Sequence, residues 1–99
     1  MATISKLFGT NVSSEQEEDA LQRINKIYKH QKSEDGLTQK KLAKLMGIKE
    51  QSAVSQYLRG EITLNPIVVL NFAQAMNVSP MELYPALMEP IQKLFSQKN

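Results

Sequence analysis

The sequence predicts an all-α fold, a compact domain of five helices, on three observations. Apolar residues recur at three- and four-residue spacing in successive segments. No segment makes a convincing strand. Glycine, proline and capping residues fall between the periodic segments, where helices would start and stop. With 99 residues and 41% hydrophobic content, the chain can build one small core.

Residues 1–13, MATISKLFGTNVS, precede the first helical pattern and are expected to be a mobile arm. Ser14-Glu15-Gln16-Glu17 reads as a capping box, with acids at the positive end of the first helix. Leu21, Ile24, Ile27 and Tyr28 follow as its core stripe, and Ser33-Glu34-Asp35-Gly36 ends it. Thr38 suits the cap of a second helix running to about Met46, with Gly47 supplying the turn. A third helix is expected over roughly residues 51–59, stopped by Gly60. Asn65-Pro66 opens the fourth, because asparagine caps well and proline suits the first helical position. Its broad apolar face is expected to comprise Ile67, Leu70, Ala73 and Met76, with Val69 and Phe72 beside them. Ser79-Pro80 begins another turn, carrying Leu83 and Tyr84. A last segment, about 85–97, holds Leu87, Ile91, Leu94 and Phe95 at helical spacing, and Pro90 within it predicts a kink or a late helix start.

The stretch 36–60, GLTQKKLAKLMGIKEQSAVSQYLRG, carries most of the functional information. It reads as two short helices joined by a glycine-containing turn. The first places Leu42, Leu45 and Met46 on an apolar face. The second turns Val54, Tyr57 and Leu58 inward and Gln51, Ser52, Ser55 and Gln56 outward. A short helix whose exposed face is small and hydrogen-bonding is suited to reading base edges in the major groove of double-stranded DNA. The formal charge of the whole chain is only +2. Within 36–60, however, Lys40, Lys41, Lys44, Lys49 and Arg59 face a single acid, Glu50, so the positive charge sits where phosphates would need it.

Several classes are excluded or disfavoured. Without cysteine there is neither a disulfide framework nor a thiolate metal site, and no metal or cofactor is expected. No apolar run is long enough to span a membrane and the first residues lack a signal-peptide core, so the chain reads as cytoplasmic. A lone His30, the lack of a glycine-rich phosphate loop and the lack of a carboxylate pair in a recognisable context argue against an enzyme.

From about residue 15 to residue 95 the sequence resembles the DNA-binding domain of the phage lambda repressor family. The resemblance rests on Ile27-Tyr28, on Gly36-Leu37-Thr38-Gln39 leading to Ala43 and Met46-Gly47, and on Gln51-Ser52 and Val54. It continues through Gly60, Leu64-Asn65 and Val78-Ser79. It implies that Gln39 contacts phosphate and braces Gln51, the first residue of the recognition helix. Gln51 is then an adenine reader, and Ser52 faces a base edge. Arg59, Asn65 and Lys32 take backbone contacts, while Lys49, Ser55 and Gln56 complete the DNA-facing set.

Two departures from the family bear on this transfer. One extra residue lies between Gly47 and Val54, and the turn is expected to absorb it, since Val54 and Leu58 keep their inward register. The lambda arm is rich in lysine, whereas here Lys6 stands among the apolar Ile4, Leu7 and Phe8. The arm is therefore expected to pack on the domain or on a partner.

Leu87, Ile91, Leu94 and Phe95 form a stripe that either covers the chain's own core or, as the resemblance implies with Ile91 and Leu94 at matching positions, packs against a twin helix in a homodimer. The dimer is favoured and would present two recognition helices to a near-palindromic operator. The leading expectation is a phage or prophage-type repressor, either stand-alone or part of a longer chain. One alternative is the antitoxin of a toxin–antitoxin pair, binding DNA and a toxin protein. The other is an interaction module that has lost DNA binding.

Overall fold

Local signals set the helix ends. The computed structural model describes residues 12–96, without the side chains of residues 95 and 96. In them lie six helices and no strand: α1 (Ser14–Asp35), α2 (Gln39–Met46), α3 (Gln51–Leu58), α4 (Pro66–Met76), α5 (Pro80–Leu83) and α6 (Pro85–Ser96). The count is six because the single turn at Pro80–Leu83 stands apart. Tyr84 (φ −149°, ψ 72°) leaves helical space ahead of Pro85, as a residue before proline tends to. α6 begins at Pro85 and runs through Pro90, so the expected late start is not taken.

Val12 packs against the core and Ser13 caps α1, so the folded part begins before the expected arm boundary; residues 1–11 of that arm lie outside the described residues. The capping box sits one residue earlier than expected. Ser13 Oγ accepts from the Gln16 amide at 3.1 Å, and Gln16 Oε1 accepts from the Ser13 amide at 2.8 Å. Glu17, the expected partner in the box, is engaged elsewhere. Its carboxylate accepts the Leu64 amide at 2.8 Å and the Tyr84 hydroxyl at 2.6 Å.

α4 is the centre of the packing. It contacts α1, α2 and α5, while α3 packs on α1 and α2, and α6 on α5. Val69, Phe72, Ala73 and Met76 of α4 meet Ile24 and Tyr28 of α1, Leu42 and Met46 of α2, and Val54 and Leu58 of α3 in one core. Two expectations about faces are corrected. Leu45 is 60% exposed, because the buried face of α2 is centred on Leu42, Ala43 and Met46 and residue 45 lies roughly 100° from that centre. Ile67 is 63% exposed and Leu70 43%, since α4 buries Val68 and Val69 instead and residue 67 points about 180° away.

Polar side chains of α1 tie it to distant helix ends. Besides Glu17, Asn25 Nδ2 donates to the Leu58 carbonyl at 2.9 Å and to the Leu21 carbonyl at 3.0 Å. Gln31 Nε2 donates to the Met76 carbonyl at 2.7 Å. Leu58 and Met76 are the last residues of α3 and α4, whose carbonyls lack intrahelical partners.

Two buried tyrosines contrast. Burial, with the bond to Glu17, pushes the Tyr84 hydroxyl far above its ordinary range, so it remains a donor. The Tyr28 hydroxyl is buried with no hydrogen-bond partner among the described residues, and its pKa is also raised by burial. Tyr84→Phe should therefore cost about 1.5–3 kcal/mol, the range for a hydrogen bond to a charged group. Tyr28→Phe, which removes an unsatisfied hydroxyl, should be neutral or stabilising. Urea denaturation of the two variants checks the contrast; equal effects would contradict it.

Candidate nucleic-acid interface

The candidate face is built by the α2–turn–α3 unit. Thr38 starts α2, its hydroxyl accepting the Lys41 amide at 3.2 Å. Gly47 ends it in the left-handed region (φ 73°), and the Ile48 amide bonds back to the Ala43 carbonyl at 2.9 Å. Ile48 packs against the core, which completes a common helix-ending arrangement. Four residues, 47–50, separate the two helices. The extra residue thus lies in the turn: Val54 is 0% and Leu58 7% exposed, so α3 keeps its inward register.

α3 is seated by these two side chains, by the Asn25 bond to its last carbonyl, and by Tyr57. The Tyr57 ring meets Phe72 of α4 edge to face, with centroids 6.4 Å apart. Tyr57 is accordingly a packing residue, half-buried against the core. Glu50, the N-cap of α3, makes no side-chain capping bond, which leaves the first amides of the helix to an external acceptor.

At about 100° per residue, Ser52 and Gln56 lie opposite Val54 and Leu58, with Ser55 and Arg59 along one side. Gln51 and Ser52 are exposed, and Ser55 and Gln56 partly so. Gln39 is half-buried at the start of α2. The expected brace between Gln39 and Gln51 is not formed: among the described residues neither side chain has a hydrogen-bond partner. Lys32 and Lys49 are exposed, at the end of α1 and in the turn. Asn65 is exposed but already employed, its Oδ1 accepting the Val68 amide at 2.9 Å as the cap of α4.

Arg59 is engaged most heavily. Its guanidinium bonds Glu61 through Nε at 2.7 Å and Nη2 at 3.2 Å, and Ser55 Oγ through Nη1. The hydrogen bond and charge of each partner hold Glu61 below the usual carboxylate range and Arg59 above its own. Gly60 (φ 77°) makes this return possible, and a Cβ there would come within 2.8 Å of Leu21 Cδ2. Sequence reasoning missed Glu61, Asn25 and Glu17. Only Glu61 carried a local signal, an acid two residues from the arginine.

Of the residues expected at a dimer interface, Leu87 is instead a core residue, 2% exposed. Ile91 is partly exposed and Leu94 50% exposed. The Phe95 side chain lies outside the described residues.

A family model described as helix-turn-helix matches residues 32–83, from the last turn of α1 through α5. The chain belongs to the lambda repressor-type helix-turn-helix family. No curated protein matches the chain. As a helix-turn-helix protein of this type it has the domain of a DNA-binding transcription regulator, a regulatory and generally non-enzymatic family. Among the described residues no group of His, Cys, Asp and Glu is arranged to hold a metal ion. No described helix is long and apolar enough to cross a membrane.

Proposed function

We propose that this helix-turn-helix protein is a sequence-specific transcriptional repressor of phage or prophage type, acting in the cytoplasm and binding a near-palindromic operator as a homodimer. The observation that carries the reading is the two-sided character of α3. Val54 and Leu58 are buried, while the opposite side offers Ser52, Ser55, Gln56 and Arg59, with the small Ala53 at its edge. Such groups match the donor and acceptor pattern of major-groove base edges. In this reading Gln51 and Ser52 lead into the groove and Gln56 follows one turn on. Gln39, Lys32, Lys49 and Asn65 hold the phosphates on either side, and the bound dimer blocks polymerase.

The homodimer draws support from α6, where Ile91 and Leu94 leave apolar surface beyond the chain's own core. A symmetric pairing through that helix would set two copies of α3 about one turn of DNA apart. The antitoxin alternative has its own support in Ile67. That side chain lies in an apolar cleft of about 720 Å³ with Val12, Leu64, Pro66 and Leu87. Stable co-purification with a small toxin would favour it.

Selection of bound sequences from a random duplex pool should return a site with two-fold symmetry. On that site Gln51→Ala should lose about 1–3 kcal/mol and relax preference at one base pair; equal losses on selected and random duplexes would show that Gln51 does not read bases. Ile91→Asp should abolish dimers in sedimentation and weaken operator binding with them. A variant that remains dimeric would place the interface elsewhere.

A further inference from the structure

Arg59 turns back along the outward side of α3 instead of extending away from it. Nε and Nη2 hold the two oxygens of Glu61, and Nη1 holds Ser55 Oγ one turn earlier. The chain reverses at Gly60, and the Glu61 amide bonds the Gln56 carbonyl at 2.9 Å, which fixes Glu61 beside the helix end. A guanidinium has five N–H donors. Three are used here, leaving one on each terminal nitrogen.

We propose that Arg59 reads a guanine in the major groove, and that Glu61 is the positioning residue that holds its guanidinium for this contact. The proposal rests on the DNA-binding reading above and assigns Arg59 a role other than the backbone contact that the family resemblance implies. Two remaining donors, one on each terminal nitrogen, are what a bidentate contact with guanine O6 and N7 requires. Location agrees, because Ser55 lies on the side of α3 that faces the groove. Charge argues the same way. A phosphate approaching this guanidinium also meets the Glu61 carboxylate, which cancels the attraction, whereas a guanine edge is neutral and tolerates it.

Both side chains are exposed, 57% for Arg59 and 51% for Glu61. The pair therefore adds little to folding. Its use lies in ordering a long side chain before DNA arrives, so that less rotamer freedom is lost on binding.

The test measures affinity of the full chain for its selected duplex, for the same duplex with each guanine in turn replaced by 7-deazaguanine, and for random duplex, over a range of salt. Unmutated protein should lose affinity at one particular 7-deazaguanine in each half-site. Arg59→Ala should lose about 5- to 150-fold on the selected duplex and become indifferent to that replacement, with its salt slope unchanged. Glu61→Gln should lose most of the same discrimination while binding random duplex as well as before, or better. The proposal is overturned if Arg59→Ala weakens selected and random duplexes equally and lowers the salt slope by about one, the signature of a phosphate contact. Full discrimination in Glu61→Gln overturns the role of Glu61. Failure of the unmutated chain to bind any duplex removes the DNA-binding reading itself, and this inference with it.

Discussion

A helix of eight residues is too short to persist by its own hydrogen bonds, so α3 takes its position from what holds it. Val54 and Leu58 anchor one side in the core, Tyr57 leans on Phe72, and Asn25 of α1 donates to the carbonyl of the last α3 residue. The first two fix which way the helix faces. The third fixes where it ends. Glu17 and Gln31 act in the same manner on the segment before α4 and on the last carbonyl of α4. Each satisfies a backbone group at or next to a helix end, and α1 thereby becomes the frame that relates α3 to α4.

That seating determines what the opposite side of α3 can do. With Val54 and Leu58 turned in, Ser52, Ser55, Gln56 and Arg59 are left outward with only the small methyl of Ala53 beside them. The same constraint explains how the chain absorbs an extra turn residue. Moving α3 by one position would rotate it by about 100° and expose Val54 or Leu58, at a cost of a few kcal/mol in lost burial. Lengthening the loop over residues 47–50 leaves the core intact.

Much of this was legible in the sequence where the signal is local. Thr38, Gly47, Gly60 and Asn65-Pro66 each act on the backbone within a few residues, and all mark the helix ends where they were expected. Ser13 caps the first helix where the sequence points to Ser14, because two overlapping serines both fit a capping box and the choice depends on Glu17 being taken by partners 47 and 67 residues away. Leu45 and Ile67 were misplaced because apolar residues occur on more than one side of α2 and α4, and spacing alone does not say which side is covered. The bonds of Asn25 and Gln31 span 33 and 45 residues, so no local pattern announces them. In the candidate interface the outward set on α3 could be read directly from its periodicity. The ordering of Arg59 by Glu61 depends on the backbone reversal at Gly60 and appears only in three dimensions.

The central claim is that the outward side of α3 is the surface that meets DNA. Titrating the isotopically labelled chain with a duplex selected from a random pool, and following backbone amides by NMR, tests it most directly. The account predicts that the largest shifts fall on residues 51–56, with smaller ones at Gln39 and Asn65, and that they fade as salt is raised. Shifts concentrated on α6 or on the cleft around Ile67, with residues 51–56 unmoved, would contradict it.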